Sequence, residues 1–404
     1  LLCSEGKTEP AQALASEAID LARQERMENV ATGGLIDLAN SFTSREDYIT
    51  AEHHLRQALE FAHQNEGRRN EARAALALAS LKLAVHKADE ALDFTERALP
   101  FFEQGGYSRE VSQAYVIRGF ASNMKGDLLQ AVQAFEKASQ IGEVSQRALA
   151  STGLGTVLSD QEQHPKALQY FEQSNKLYES IGNSYYTAFS KHNVAASLAE
   201  LGRLQEAKQT IADAEKVLLD LKISQPNLQA KFALLKAKVA LGEGRPLEVS
   251  QMIKQVTVSD DLEVEAEIYR VMALSQAFAK PHSSDAVRTA LKALQIAERS
   301  EKAKEVNRSK LTLAEVYFIT GNQKDAMTTA LELNDYFAAA GQKESGWRAW
   351  FVAAKSADGD AAREYLSSAT QLLSELKKDW GDDHFQTYSA RADIKFYLGP
   401  GEVN

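Results

Sequence analysis

The chain has 404 residues and a net charge of −10 at pH 7, which disfavours both nucleic acids and anionic membrane surfaces as partners. Cys3 is the only cysteine, so an intrachain disulfide and a cysteine-based structural zinc site are excluded. Hydrophobic residues make up 44% of the chain, as in ordinary globular proteins, yet no apolar run is long enough to cross a membrane.

A triplet of small or apolar residues, spaced i, i+4 and i+7, recurs about every 40 residues along almost the whole chain. The copies are Ala11/Ala15/Ala18, Ala51/Leu55/Ala58, Ala91/Thr95/Ala98, Ala131/Phe135/Ala138, Ala167/Phe171/Ser174, Ala207/Ile211/Ala214, Val249/Ile253/Val256, Ala286/Ala290/Ala293, Ala326/Ala330/Leu333 and Ala362/Leu366/Ala369. Self-similarity at a fixed period of this size is typical of stacked helical repeats, which usually bind other chains.

One unit, residues 113–142, shows how each repeat is built. Apolar and small residues at helical spacing come first, the pair Gly126-Asp127 then ends the helix, and a second apolar stripe follows. We predict a helix–turn–helix hairpin in which Gly119 lets the first helix approach its partner closely and Phe135 fills the remaining space. Turn glycines recur at Gly202, Gly244 and Gly321.

The unit has a small residue at its eighth position, alanine at the twentieth and twenty-seventh, and an aromatic or aliphatic residue between them. In this pattern it resembles the tetratricopeptide repeat, with longer helices or connections than usual. The resemblance covers roughly residues 9–375. It implies an all-α, right-handed superhelix of about nine helical hairpins that binds a protein or peptide in its concave groove and is not an enzyme.

The period ends after Lys378, so we expect a repeat array over residues 1–378 and a separate C-terminal segment over 379–404. Aromatic residues mix with acids and amides between Trp380 and Tyr397. A terminal repeat needs a cover for its apolar face, so we predict that this segment folds as a short helix or two over the last hairpin. The alternative is a hydrophobic docking motif for a partner.

Three segments, Glu66–Ala74, Glu344–Trp350 and Asp379–Tyr397, are similar to the tetratricopeptide tails of bacterial serine/threonine protein kinases, notably those of acidobacteria. This resemblance implies a cytoplasmic signalling protein. The chain starts with leucine and opens inside a repeat, so we expect it to be a piece of a longer protein with a kinase or another regulatory domain upstream.

In tetratricopeptide proteins the first helix of each hairpin lines the concave groove. The resemblance therefore implies these candidate binding residues: Asn40, Arg73, Ser80, Gln113, Phe120, Asn123, Thr152, Thr156, His192, Asn193, Lys231, Lys238 and Glu315. Amide side chains in such a set can hydrogen-bond the backbone of an extended peptide without reading its sequence. The alternative is that these residues form only a solvated polar wall.

Two other functions stay open at this stage. One is a peptide or small-ligand sensor domain of a bacterial signalling protein. The other is an α/α-toroid glycosidase, which would use paired carboxylates. Against the glycosidase, all three tryptophans lie in the last 60 residues or so, which we expect to place them away from a central cavity. The histidines are scattered, so we predict neither a metal site nor a bound cofactor.

Overall fold

The computed structural model describes residues 8–25, 27–43, 45, 47–223, 226–253 and 261–398. These residues form twenty-two α-helices and no strand, which confirms the all-α prediction. None of the helices in this described part combines the length and the apolar character that crossing a membrane requires. The chain divides into two compact units, unit 1 (Leu1–Val157) and unit 2 (Leu158–Asn404).

Unit 1 contains α1 (Thr8–Gln24), α2 (Glu28–Thr43), α3 (Tyr48–Gln64), α4 (Arg68–Ala84), α5 (Ala88–Gln104), α6 (Ser108–Met124), α7 (Leu128–Ile141) and most of α8 (Val144–Asp160). Unit 2 contains the end of α8 and then α9 (His164–Ser180), α10 (Ser184–Glu200), α11 (Leu204–Asp220), α12 (Pro226–Gly242), α13 (Pro246–Ile253), α14 (Leu262–Ala279), α15 (Ser284–Arg299), α16 (Ala303–Thr320), α17 (Gln323–Leu331), α18 (Asn334–Ala340), α19 (Lys343–Ser356), α20 (Gly359–Trp380), α21 (Asp382–Ser389) and α22 (Ala392–Leu398).

The helices alternate between two roles along the chain. We call α2, α4, α6, α8, α10, α12, α14, α16 and α19 the first helices, and we call each helix that follows one of them a second helix. Nine first helices in the described ranges agree with the prediction of about nine hairpins. The helical repeat architecture expected from the sequence is therefore confirmed.

The glycines that were predicted to form turns lie in the turns between helices. Gly126 and Gly202 have φ angles of 79° and 75°, and the other two predicted turn glycines are left-handed as well. Glycine adopts this backbone conformation without the steric penalty that a Cβ atom brings. After Gly126, the Asp127 carboxylate accepts a hydrogen bond from the Gln130 amide at 3.1 Å and starts the next helix.

The small residues of the repeat lie where the helices touch. Ala131 and Ala138 of α7 are fully buried. The ring of Phe135 lies between α6 and α8, so close that a Cβ atom on Gly119 would come within 2.6 Å of it and one on Gly153 would overlap it. The predicted fit of Phe135 against Gly119 is therefore confirmed, and α8 contributes a second glycine to the same contact.

The first triplet is wrong in its register. Ala18 is exposed, and the side chain of Ala11 lies outside the described residues. Ile19 and Ala22 are buried instead, and Ile19 packs against Gly34 of α2. Alanine occurs at several spacings in α1, so the sequence alone could not choose among them, whereas the bulk of Ile19 requires the space at Gly34. In the seventh triplet, Val256 also lies outside the described residues.

The C-terminal segment contacts far more of unit 2 than the last hairpin. The hydroxyl of Thr387 in α21 donates to the Leu201 carbonyl at 2.6 Å, at the end of α10. In α22, the Phe396 ring lies 5.2 Å from Phe278 of α14 and 6.1 Å from Phe318 of α16. Helix α22 also packs against α12. The two short helices thus lie against the first helices of unit 2.

We expect Ala131→Leu to overpack the contact between helices and to lower the free energy of unfolding by about 1–3 kcal/mol. Gln133 lies two residues away on the exposed side of α7, so Gln133→Leu is the matched control and changes little. Urea denaturation monitored by circular dichroism measures both variants. Equal denaturation midpoints would contradict the assigned register.

Gly202 provides a second test, because a Cβ atom there would overlap the Thr387 carbonyl, whereas a Cβ on Gly126 would meet no atom within 4 Å. Both glycines have positive φ, so alanine at either site adds about 1–2 kcal/mol of backbone strain. We expect Gly202→Ala to be the more destabilising change in the full chain. In a chain that ends at Gly381 the two substitutions should have equal effects, and a difference that persists there would contradict the packing of α21.

Candidate functional site

The same two positions of every first helix lie on one side of that helix. The sixth and thirteenth residues of a helix lie on the same side, because seven residues make almost two turns. In unit 1 these residues are Gly33, Arg73, Gln113 and Leu149, with Asn40, Ser80, Phe120 and Thr156. In unit 2 they are Phe189, Lys231, Glu267, Arg308 and Arg348, with Ala196, Lys238, Leu274, Glu315 and Lys355. We call the surface formed by these positions the inner face.

The inner face of unit 1 is accessible at several of its positions. Asn40 and Ser80 are exposed, and Arg73 is half-buried. The Arg73 guanidinium reaches α2, where its Nη2 atom lies 4.0 Å from the place that a Cβ atom on Gly33 would take. Among the described residues Arg73 makes no hydrogen bond and no ion pair. Its charge is therefore available to a ligand on this face.

Phe120 supplies an aromatic ring to the same face. The ring is half-buried and packs edge to face against Phe135, with 4.8 Å between ring centroids. Gln113 and Asn123, on the same helix, are also half-buried. An aromatic ring beside amide groups can seat an apolar side chain and hold the adjacent peptide backbone.

The two predicted threonines of α8 are less available. Thr152 is buried, and its hydroxyl donates to the Ala148 carbonyl at 3.1 Å. The half-buried Thr156 donates in the same way to the Thr152 carbonyl at 3.0 Å. Both hydroxyl protons are thus used within the helix and are not available to a ligand.

Three predicted residues of unit 2 interact with their own neighbours. The Nδ1 atom of His192 lies 3.3 Å from Asn193 Oδ1, and its ring packs 5.1 Å from Phe232. Burial lowers the pKa of His192 to about 4, so the imidazole is neutral at physiological pH. The Lys231 ammonium lies 4.0 Å from the Asp261 carboxylate.

Lys238 lies in a different setting, on the wall of a cavity of about 290 Å³ inside unit 2. The wall is formed by first helices, by the turn after α8 and by the C-terminal segment. It carries six carboxylates, on Asp160, Glu162, Glu200, Glu267, Glu344 and Asp393, and six cationic side chains, on Lys238, Arg270, Lys304, Arg308, Arg348 and Arg391. Within the described ranges, no group of three or more His, Cys, Asp and Glu side chains is arranged to hold a metal ion.

The C-terminal segment closes this cavity on one side. Arg391 donates to the Glu200 carbonyl at 2.9 Å, and the Tyr388 hydroxyl donates to Glu344 at 3.1 Å. The indole of Trp380 packs 5.4 Å from the His164 ring, behind the wall. None of the three tryptophans is among the described residues that line the cavity, but Trp380 lies directly behind its wall, because the end of the chain returns to the start of unit 2.

Opposite charges in the cavity hold each other ionised. Burial would raise the pKa of Glu200, but the positive charges of Lys238 and Arg391 outweigh burial and bring that pKa well below its usual range. Burial likewise would raise the pKa of Glu305, behind the wall, and Arg270 counters it and lowers the pKa to about 2. The network is therefore charged at neutral pH.

Glu162 differs from the other carboxylates. It has a φ angle of 59° at a turn position where the neighbouring repeats have Gly126 and Gly202, and this conformation costs a non-glycine residue about 1–2 kcal/mol. Its buried carboxyl accepts hydrogen bonds from the Ser345 amide at 3.0 Å and the Ser345 hydroxyl at 2.5 Å. Burial, and then the negative charge of Glu344, raise its pKa to about 7.

Several cavity residues were missed at the sequence level, although some carried a signal. Arg308 and Arg348 occupy the same helix position as the predicted Arg73 and Lys231. Glu162 stands at a turn position that is glycine in the neighbouring repeats, although His86 and His282 also occupy this position. His164 and Arg391 show no such pattern, because they join the cavity through contacts between distant parts of the sequence.

Comparison with protein families finds a match to the tetratricopeptide repeat over residues 146–219. Curated proteins provide no match. The helical repeats are thus similar to tetratricopeptide repeats in sequence over this stretch. The similarity to kinase-associated repeats remains a prediction.

Three solved structures share the fold. A Rap protein complexed with competence and sporulation factor has a TM-score of 0.55 and 11% identity over 82% of this chain and 96% of that chain. The Rap conjugation gene regulator of plasmid pLS20, in complex with the Phr* peptide, has a TM-score of 0.56 and 13% identity over 92% and 98%. NprR in complex with its cognate peptide NprX has a TM-score of 0.55 and 14% identity over 81% and 96%.

The raised pKa of Glu162 gives a test of the cavity's electrostatics. The folded chain holds this proton between pH 4.5 and about 7, so the stability that the group contributes is present below pH 4.5 and is lost as the pH rises through about 7. Glu344 and Ser345 from α19 and Arg308 from α16 face this carboxyl. We expect Glu162→Gln, which can accept from the Ser345 amide and donate to the Ser345 hydroxyl, to remove the dependence.

Relative to the Glu162→Gln variant, the native chain should lose about 3 kcal/mol of unfolding free energy as the pH rises from 4.5 to 8. Urea denaturation at both pH values measures it. Parallel pH profiles of the native chain and the variant would show that Glu162 titrates normally.

Proposed function

We propose that this chain is a regulatory binding domain whose unit 1 holds an extended peptide segment of a partner protein on its inner face. The observation that carries the proposal is the half-buried Arg73 guanidinium, which lacks a partner in the described part of the chain and shares the inner face of unit 1 with the exposed Asn40 and Ser80. In unit 2, by contrast, helices α21 and α22 lie against the first helices.

The chemistry of the inner face of unit 1 defines the peptide. Arg73 favours a carboxylate, because a guanidinium can donate two parallel hydrogen bonds to it. The half-buried ring of Phe120 favours an apolar side chain. Asn40 and Ser80 can pair with backbone amides and carbonyls of an extended chain. The peptide is thus one with an acidic and an apolar side chain in an extended conformation.

The similar structures support a peptide as the ligand. All three are complexes of a protein of this fold, two with a peptide and one with competence and sporulation factor. At identities of 11–14% they share the fold with this chain, and they lend weight to a binding role over a catalytic one. A kinase or another regulatory domain on the same protein would make the bound peptide a signal for that domain.

Peptides selected from a random library on the purified full chain provide the test. We expect Phe120→Ala together with Asn123→Ala to weaken a selected peptide several-fold or more, because truncation of a central aromatic contact often costs more than about 1 kcal/mol. Arg73→Ala should weaken it as well, and should reduce the salt dependence of binding. Fluorescence anisotropy measures affinity, and circular dichroism checks that the helix content is unchanged.

The controls are Glu136→Ala and Arg97→Ala, which remove exposed charges from the second helices α7 and α5. Both should bind within about twofold of the native chain, since isolated surface charges contribute little. Loss of binding in these controls, with binding retained in the inner-face variants, would place the peptide elsewhere and refute the proposal.

A further inference from the structure

Among the described residues, each cationic group on the cavity wall of unit 2 is paired with a carboxylate, except one. The pairs are Lys238 with Glu200 at 3.4 Å, Arg270 with Glu305 at 2.8 Å, Lys304 with Asp160 at 2.5 Å, Arg348 with Glu344 at 3.2 Å, and Arg391 with Asp393 at 2.7 Å. Arg308, which also lines the cavity, makes no hydrogen bond and no ion pair within the described ranges. A half-buried guanidinium without a partner is a ready site for an anionic group.

Arg308 lies centrally among the wall residues. Its charge acts on Glu162, Glu200 and Lys238, which belong to three different elements of the wall. It is also the sixth residue of α16, the helix position that lies on the inner face. The guanidinium therefore lies on the wall of the cavity.

Two further polar groups on the wall each have an atom without a hydrogen-bond partner in the described part of the chain. These atoms are Nδ1 of His164 and Oε1 of Gln342, and both are buried. Each residue is only 6% exposed. The Nε2 atom of Gln342 donates to the Asp160 carbonyl at 2.8 Å, which fixes the amide and leaves Oε1 as an acceptor without a donor. Buried polar atoms in native proteins are normally satisfied, so these two have hydrogen-bonding capacity left for a ligand or for water.

We propose that this cavity binds a free α-amino acid, with its carboxylate on Arg308 and its ammonium group donating to Gln342 Oε1. The guanidinium matches a carboxylate in shape and charge. The volume of about 290 Å³ is at the lower end of the range for ligand pockets, so it suits a small metabolite better than a folded or extended peptide.

The wall favours a zwitterion over a simple anion. Glu162 and Glu344 lie on the same side as Gln342 and repel each other, as the raised pKa of Glu162 reflects after the effect of burial. A second negative group would add to this repulsion, whereas an ammonium group would relieve it. His164 is neutral at physiological pH because burial lowers its pKa, so its ring can pair with a further polar atom of the ligand.

This site is separate from the peptide-binding face proposed above, since every wall residue belongs to unit 2. The two proposals therefore fail independently. Loss of peptide binding through changes in unit 1 leaves the amino-acid site intact, and the reverse also holds.

Each standard L-amino acid, added singly to the purified full chain, tests the proposal by thermal shift and then by titration calorimetry. We expect at least one to bind saturably. For that amino acid, the decarboxylated amine and the corresponding α-hydroxy acid, which lacks the ammonium group, should each bind about tenfold more weakly or worse. This analogue series uses the native chain and does not depend on a variant folding correctly.

Arg308→Gln should weaken binding by about tenfold or more, while Arg288→Gln, which changes an exposed arginine of the same unit, should leave it unchanged. The absence of binding by every amino acid would overturn the proposal. So would equal binding of the amine and hydroxy-acid analogues, or tighter binding of dipeptides that carry the same C-terminal residue, which would identify a peptide end as the ligand.

Discussion

The helices of this chain stack as they do because alanine and glycine leave almost no side chain between them. Ala131 and Ala138 are fully buried, and the Phe135 ring fits only where Gly119 and Gly153 lack a Cβ atom. Such close contacts fix the rotation of each helix about its axis. Once the rotation is fixed, the sixth and thirteenth residues of the first helices lie on one face within each unit. The buried alanines and glycines thus determine which side chains form the inner face.

The inner faces of the two units differ, although both are built from the same kind of repeat. In unit 1 the inner positions include exposed polar residues and an arginine with no partner in the described ranges. In unit 2 the C-terminal segment lies against the first helices, and an ion-pair network surrounds a cavity. Gly202 makes this arrangement possible, because the Thr387 carbonyl lies where its side chain would be. One kind of repeat therefore produces an accessible face in one unit and a polar cavity in the other.

Local pattern was enough to predict the repeats, the turn glycines and the contact of Phe135 with Gly119, since each depends on residues that are close in sequence. The register of α1 was not predictable, because alanines at several spacings fit equally well until Ile19 meets Gly34. The cavity could not be predicted from the sequence either. Ser345 binds Glu162 across 183 residues, and no short-range pattern encodes such a contact. Arg308 could have been predicted, because it is the sixth residue of its helix, as Arg73 is.

The central claim is that a peptide partner contacts the inner face of unit 1. Photo-crosslinking from an amino acid with a benzophenone side chain tests it most directly, with the probe placed at exposed Ser80 on α4, at exposed Gln133 on α7, or at exposed Lys395 in α22. We expect a peptide selected on the full chain to be captured from position 80 and not from the other two. Capture from position 133 or 395, with none from position 80, would contradict it.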